Sequence, residues 1–440
     1  MTSNERSSRA PRTLKLIGFL GWTGHHAGSW RHPDVDPKAG LDIDYLIREA
    51  REAERALFDA IFVADGEGWR SGSRLEPFTQ LSALAVHTER IGLINTVGTV
   101  YNDPYSVARM FLSLDHISAG RAGWNVVTGA QSAADQFSRS LHPPHAERYQ
   151  AAEEFVDVVR KLWTSWDDGA LIADKARGTL IDPDKIREIG FRGRYYAVKG
   201  PLDLPRSPQG HPVVVQAGSS EPGKELAART AELVFTAQQT LESAQRFYRD
   251  VKSRLPKYGR WEQDLLVTPG FAPLLGTTPA EARDLEDELN SYVDTRRALD
   301  TLSERFTVNL NDYPLDGPVP LDKAKPGDAF DNLKSRQDVV LEPARSEGFT
   351  IRDLLHRANA GHGHVAKTGT PLEIADFIQE WFETRAVDGF VIEPPVLPSQ
   401  LRLFTEKVIP ELQNRGLFRT GYEGTTLREN LGLRLPRPAT

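Results

Sequence analysis

The sequence predicts an α/β fold, namely a (β/α)8 TIM barrel with insertions. Eight short apolar segments alternate with amphipathic segments of helical periodicity. This alternation indicates parallel strands that are buried between helices. Polar residues follow several of the strands, at the end of a barrel where functional sites lie. A doubly wound open sheet is the alternative, but no GxGxxG sequence follows the first strand as in a dinucleotide-binding sheet.

The first four strand–helix units have apolar strands that end in polar or glycine-containing loops. Their helices carry charged residues on one face, and the third begins at Pro104, a position where proline is tolerated. The predicted strands span 14–20, 60–64, 91–97 and 122–127, and the predicted helices span 41–57, 77–88, 104–117 and 151–163.

The last four units begin with a β-branched run, Val213 to Val215, which is typical of a buried strand. Two long segments, at about 167–210 and 300–350, interrupt the alternation and are predicted as insertions into a single domain over 14–433. Residues 1–13 are predicted to be a disordered tail. The strands are predicted at 211–216, 233–236, within 265–275 and at 389–392, and the helices directly after Pro222 and at 241–254, 279–298, 371–384 and 401–414.

Composition narrows the classes of protein to consider. The formal net charge is −7, and the basic residues are interspersed with acidic ones, so no nucleic-acid-binding surface is indicated. The chain has no cysteine, which excludes disulfides, thiolate metal sites and a cysteine nucleophile. The first residues lack the apolar region of a signal peptide, and no apolar run approaches the roughly 18 residues of a membrane span. We therefore expect a cytoplasmic protein that binds neither nucleic acid nor membrane.

The turn after the fifth strand is a candidate anion site. Ala217, Gly218, Ser219 and Ser220 lead from that strand into a helix, and either serine could cap the helix. Free backbone N–H groups and the positive end of the helix dipole would then point at one place. The turn is a candidate phosphate cradle, and an ordinary strand-to-helix turn is the alternative.

Other polar residues lie at the ends of strands or helices. Asn125 lies within an apolar strand, where its amide must be satisfied by a heterocyclic ligand or by neighbouring backbone. Tyr149 precedes a predicted helix and could reach a phosphate or pack at the helix end. His362 and His364 lie in a loop that could fold over the barrel mouth or remain in solvent.

A metal site is not expected from the histidines. His25 and His26 follow the first strand, but adjacent side chains point in different directions, and no carboxylate pair completes a ligand set. A histidine that makes a hydrogen bond or carries a proton within a pocket is the favoured interpretation.

An ordered set of motifs resembles a known family. The chain is similar to the flavin-dependent monooxygenases of the bacterial luciferase superfamily, in the branch of the nitrilotriacetate, dibenzothiophene-sulfone and long-chain alkane monooxygenases and the pristinamycin synthase. The matching motifs begin near residue 24 and include GH, WRHP, FDAIFVAD, LDHIS, GWNVVT, ERY, QAGSS, GTP, DGF and RGLFR.

The resemblance implies a luciferase-like barrel that receives reduced FMN from a separate NAD(P)H:flavin reductase. O2 and the reduced flavin would form a peroxyflavin, which oxygenates a small organic substrate. The resemblance also implies a homodimer or homotetramer. A peroxyflavin must be kept from water, so an apolar pocket with a closing lid is expected, and 300–350 is the lid candidate.

The resemblance also implies roles for individual residues. His25 and His364 would be the catalytic pair near the reacting face of the flavin. The FMN-binding set would surround the isoalloxazine ring and the phosphate with its ribityl chain. Its members are Asp65, Thr99 and Asn125 for the ring, and Tyr149, Gly218, Ser219 and Ser220 for the phosphate and chain.

Three other functions are alternatives. A deazaflavin-dependent oxidoreductase on the same barrel would transfer hydride without O2. A glycosidase would use paired carboxylates, for which Asp65 and Glu393 are the strand-end candidates, but it would leave the cradle unexplained. A non-catalytic flavin-binding protein would bind FMN without forming product.

Overall fold

The computed structural model describes residues 12–21, 23–66, 74–129, 136–137, 143–306, 308–323, 344 and 348–436. Residues 1–11, which form most of the predicted tail, lie outside the described part. The same holds for 307, 324–343 and 345–347, which fall within the candidate lid at 300–350.

The described residues form thirteen strands, and eight of them close into the predicted parallel barrel. The barrel order is β1-β2-β3-β4-β9-β10-β11-β13, and β13 pairs back with β1. The pairing of β10 with β11 completes the ring and excludes the open sheet. The barrel strands are β1 (Lys15–Phe19), β2 (Ala60–Val63), β3 (Gly92–Gly98), β4 (Ala122–Val127), β9 (Val213–Ala217), β10 (Leu233–Thr236), β11 (Leu266–Leu275) and β13 (Gly389–Ile392).

The remaining strands lie outside the ring. The insertion at 167–210 contains two short antiparallel hairpins, β5 (Leu171–Asp174) with β6 (Thr179–Ile181) and β7 (Phe191–Arg192) with β8 (Ala197–Val198). The ninth parallel strand, β12 (Val365–Gly369), was not predicted. It pairs with the second half of β11, which continues beyond the barrel rim.

Helices surround the barrel, and their ends carry recognisable caps. The predicted helix 279–298 is in fact two helices, because the Asp294 side chain accepts the Arg297 N–H and starts a second one. In the described part the helices are α1 (Ile43–Arg55), α2 (Pro77–Ala85), α3 (Pro104–Ile117), α4 (His145–Trp163), α5 (Glu221–Thr230), α6 (Leu241–Ser253), α7 (Pro279–Ser291), α8 (Thr295–Phe306), α9 (Ile351–Gly361), α10 (Pro371–Glu383), α11 (Ser399–Leu403), α12 (Ile409–Asn414) and α13 (Leu427–Leu431), with a π-helical turn between α11 and α12 at Phe404–Val408. No helix among these is long and apolar enough to cross a membrane.

The C-terminal helix α13 closes the lower end of the barrel. Leu427, Leu431 and Leu433 pack with inward-facing strand residues in one buried apolar cluster. Glycine at position 92 provides the space, since a Cβ there would lie 2.4 Å from Leu427 Cδ1. The lower end is therefore sealed by apolar packing, and the upper end is left for the site.

We call Leu427, Leu431 and Leu433 the leucine plug, and truncating one of them should destabilise the protein. Leu427→Ala removes a fully buried side chain from the barrel interior. We expect a loss of about 2–5 kcal/mol in the free energy of unfolding, measured by urea denaturation. The control is Leu435→Ala, because Leu435 is 68% exposed and its truncation should change the stability by less than about 0.5 kcal/mol. Equal losses in the two variants would contradict the plug.

Candidate active site

Three side chains from distant parts of the chain meet in the upper end of the barrel. Glu393 follows β13, His25 follows β1, and His364 precedes β12. His25 Nε2 lies 3.1 Å from Glu393 Oε2, and His364 Nε2 lies 3.6 Å from Glu393 Oε1. The two histidines predicted as the catalytic pair are thus brought together, with a carboxyl group between them.

Burial controls the charge of this cluster. Glu393 is completely buried, and the loss of solvation raises its pKa well above the ordinary value. Burial also lowers the pKa of His25 well below its ordinary value, and the neighbouring His362 and His364 lower it further. Both shifts favour the uncharged form of the group concerned.

The second histidine of the His25–His26 pair has a structural role. His26 is buried, and its Nδ1 accepts the Gly28 N–H at 3.0 Å, which holds the turn after β1. Burial, followed by the charge of His362, lowers the pKa of His26 to about 3, so the ring stays neutral. The structure therefore places His25, and not His26, beside Glu393 and His364. We call these three residues the mouth cluster.

Aromatic rings form an apolar floor below the histidines. Phe19, Phe62 and Phe235 pack in sequence, with ring centroids 5.4 and 5.3 Å apart. His364 stacks on Phe235 at 4.8 Å, and His25 meets Phe19 edge to face at 5.5 Å. This floor lies between the polar groups of the upper end and the sealed lower end.

The candidate cradle lies at the N-terminus of α5. Ser220 is the residue that caps α5, because its Oγ accepts the Gly223 N–H at 3.2 Å. Its hydroxyl also lies 3.4 Å from the Tyr149 hydroxyl, which comes from the first turns of α4. A Cβ on Gly218 would lie 2.7 Å from Gln216 Nε2 and 3.3 Å from the Tyr149 hydroxyl, so glycine permits the close approach of these two side chains.

Ser219 faces a different neighbour from Ser220. Its hydroxyl lies 3.1 Å from Thr236 Oγ1 at the end of β10, and Gln238 Nε2 donates to the same oxygen at 3.0 Å. Ser219 thus connects the turn to the next strand, whereas Ser220 and Tyr149 lie beside Gly218.

Two predicted ring-binding residues retain unused hydrogen-bonding capacity. Asn125 Nδ2 donates to Thr96 Oγ1 at 3.0 Å, but its buried Oδ1 has no hydrogen-bond partner among the described residues. Thr99 Oγ1 and Gln216 Oε1 are likewise buried without a partner in that part of the chain. Buried polar atoms of this kind are normally satisfied, so they indicate a missing polar ligand.

Asp65 has an ion-pair partner instead. It follows β2, and its carboxylate lies 3.6 Å from the Arg74 guanidinium. Burial raises the pKa of Asp65, although Arg74 opposes that shift. Within the described residues, no group of three His, Asp or Glu side chains is arranged to hold a metal ion, and this includes the histidines of the mouth.

Sequence reasoning missed parts of this site. The sequence indicates Glu393 only as a possible hydrolase acid, and it does not single out Gln216. The available signal was position, since Glu393 directly follows the apolar β13 at the functional end of a barrel. The contact with His25 and His364 requires the folded barrel.

The fold and the site together define a class of protein. A closed (β/α)8 barrel with buried polar atoms at the carboxyl ends of its strands has the architecture of a barrel enzyme, and the turn after its fifth strand remains a candidate phosphate cradle.

Comparisons with known proteins identify the family. The luciferase-like monooxygenase family model matches residues 19–388. N-acetyl-S-(2-succino)cysteine monooxygenase of Bacillus subtilis is 45% identical, over 97% of this chain and 98% of that protein. Nitrilotriacetate monooxygenase component A of Aminobacter aminovorans is 46% identical, with 96% and 97% covered. The chain therefore belongs to the luciferase-like monooxygenases, and its activity is that of a flavin-dependent monooxygenase.

A solved structure agrees with this assignment. The riboflavin lyase RcaE, solved with modified FMN and riboflavin, superposes with a TM-score of 0.83 and 31% identity, covering 96% of each chain.

Proposed function

We propose that the chain is the oxygenase component of a two-component monooxygenase that takes up reduced FMN from a separate NAD(P)H:flavin reductase. The bound flavin would activate O2 and pass one oxygen atom to a small organic substrate. The observation that carries the proposal is the candidate cradle, where the capped N-terminus of α5, the Ser220 hydroxyl and the Tyr149 hydroxyl meet beside Gly218.

Different residues of the site would contact different parts of the cofactor. Gly218, Ser220 and Tyr149 would hold the FMN phosphate, because hydroxyls and the α5 N-terminus offer donors to an anion. Asn125 and Thr99 would offer their unsatisfied oxygens to donors on the ring system. The phenylalanine floor would exclude water from the reacting side, and His25 and His364 would orient the substrate or move a proton there.

The family relation supports the rest of the proposal. We propose a cytoplasmic homodimer or homotetramer, which light scattering on the purified protein would test. Asp65 would act on the ring through Arg74, its ion-pair partner, and Ser219 would support the cradle through Thr236.

The decisive experiment supplies reduced FMN from any flavin reductase under isotopically labelled O2. Nitrilotriacetate and N-acetyl-S-(2-succino)cysteine, which the names of two relatives give as substrates, begin the substrate panel. The expected result is incorporation of one labelled oxygen atom into the product. Anaerobic turnover with a reduced deazaflavin would overturn the proposal in favour of a hydride-transferring oxidoreductase, and tight FMN binding without product from a broad panel would favour a binding protein.

Ser220→Ala tests the cradle directly. Loss of a hydrogen bond to a charged group typically costs about 1.5–3 kcal/mol, so the FMN dissociation constant should rise roughly 10- to 150-fold. Equilibrium dialysis or calorimetry would measure it. The matched control is Thr370→Ala, which removes the N-cap of α10 in the same way and should leave FMN binding unchanged. An unaltered dissociation constant in Ser220→Ala would count against the cradle.

A further inference from the structure

Glu393 is the completely buried acid of the mouth, and the cofactor cradle does not account for it. Neither carboxyl oxygen receives a hydrogen bond from any described residue. A buried ionised carboxylate without donors or a cation is strongly disfavoured, so the group must be neutral or acquire a partner during the reaction.

The barrel makes room for this carboxyl group. The neighbouring strand β11 presents Gly270 at the same level, where a Cβ would lie 2.5 Å from Glu393 Oε1 and 2.4 Å from His364 Nδ1. The loop after β1 presents His25, and the loop before β12 presents His364. His362, at the end of α9, packs against the His25 ring at 4.9 Å.

The titratable groups that face Glu393 are thus imidazoles. Among the described residues, its ion-pair contacts are with His25 and His364, and none is with lysine or arginine. The His25 ring also makes a hydrogen bond with the backbone of Gly361, which fixes its orientation. A proton shared in this cluster has three places to reside, two imidazole nitrogens and one carboxyl group.

We propose that Glu393 is a neutral carboxylic acid in the resting enzyme and acts as a positioning residue that holds a proton for His25 and His364. The exchange is a simple transfer. The proton leaves Glu393 Oε2 for His25 Nε2 across 3.1 Å, which creates a carboxylate and an imidazolium, and its return restores two neutral groups. The direction of the pKa shifts of Glu393 and His25, both caused chiefly by burial, agrees with the neutral resting state.

This arrangement gives His25 access to a proton without a permanent charge in the apolar mouth. The imidazolium would exist only while the adjacent carboxylate balances its charge. The consequence for oxygenation rests on the proposed function, but the protonation state of Glu393 does not, and the two are tested separately.

The protonation state is measured on the purified protein by infrared spectroscopy. A neutral carboxyl group gives a carbonyl stretching band distinct from that of a carboxylate, and the band shifts in heavy water. We expect a protonated-acid band at neutral pH that disappears in Glu393→Gln. The control is Glu49→Gln, because Glu49 is another buried acid, with a pKa that burial raises to about 7. Absence of a band that depends on Glu393 would overturn the proposal.

Turnover provides the second measurement. Glu393→Gln keeps the size and neutrality of the side chain but cannot give up a proton, so product formation should fall about 10²-fold, in the range of general acid–base catalysis. FMN affinity should stay within about twofold of the wild type, which separates this loss from a loss of folding. Glu49→Gln should retain full activity.

The pH profile separates a proton role from a packing role. In the wild type, product formation should fall as the pH rises through the raised pKa of Glu393, and this limb should be missing in Glu393→Gln. Glu393→Asp restores a carboxyl group and should recover part of the activity together with a pH-dependent limb. Full activity of Glu393→Gln, or the same pH limb in that variant, would contradict the proposal.

Discussion

Replacing Gly218 with valine should abolish practical FMN binding. The new side chain would begin 2.7 Å from Gln216 Nε2 and 3.3 Å from the Tyr149 hydroxyl, in the space assigned to the phosphate. The lost phosphate contacts cost about 1.5–3 kcal/mol of binding free energy, and the steric overlap of the valine with the proposed phosphate position adds to this. The FMN dissociation constant should therefore rise by about 10² or more, measured by calorimetry or flavin fluorescence.

The backbone conformation of Gly218 lets this substitution test steric overlap and not backbone strain. Gly218 does not have a positive φ, so valine meets no penalty from left-handed backbone there. Gly421→Val is the matched control, because a Cβ at 421 has no atom within 4 Å. FMN binding should be retained in Gly421→Val and lost in Gly218→Val. Normal affinity in Gly218→Val would place the phosphate elsewhere and remove the main support for the proposed function.

Arg428→Met should cause a large loss of stability. The Arg428 side chain is 1% exposed and forms a two-pronged ion pair with Glu232. It also donates to the carbonyl oxygens of Gln209 and His211 at 3.0 and 3.1 Å. Removing one partner of a buried pair leaves the other charge uncompensated, so we expect a loss of about 3–5 kcal/mol in urea denaturation. Arg434→Met is the control, because Arg434 pairs with Asp264 at 57% exposure and should contribute at most about 1 kcal/mol.

The pH dependence gives this prediction a second readout. Burial alone would raise the pKa of Glu232, but Arg428 outweighs it and lowers the pKa to about 2. A carboxyl group with a depressed pKa stabilises the fold above its unfolded value of 4.5 and loses that contribution as the pH falls towards 2. Burial similarly lowers the pKa of His211 to about 3, so the fold also weakens as the pH falls below 6.5.

The two proteins should therefore respond differently to acid. The stability of the wild type should decline from about pH 6.5 to about pH 2. In Arg428→Met, the stabilising ionisation of Glu232 is lost, so the difference between variant and wild type should narrow as the pH falls from 4.5 towards 2. A difference that stays constant over that range would show that Arg428 acts through packing and not through its charge.

Local sequence signals predicted the strands of the barrel and the helix cap in the candidate cradle. The eight barrel strands and the cap at Ser220 follow from apolar runs and a capping residue, which are local signals. The capping boxes that begin at Thr350 and Thr426 were equally local but were overlooked, and they start α9 and α13. These helices were predictable in principle.

The other differences depend on long-range contacts. β12 forms because β11 extends past the barrel rim and offers a free edge, and nothing in residues 365–369 alone identifies that partner. Glu393, His25 and His364 come from three segments, and periodicity sets the face on which a residue lies but not its neighbours. The protonation of Glu393 in turn depends on those neighbours.

The leucine plug at the lower end of the barrel is synthesised after the strands that it seals. All eight barrel strands precede Leu427 in the chain, so the ribosome completes them before the residues that fill their interior. A nascent barrel would expose apolar inward-facing side chains until α13 arrives, and such intermediates aggregate readily. Variants that weaken the plug should therefore lower the yield of soluble enzyme in cells more than their equilibrium stability alone would suggest.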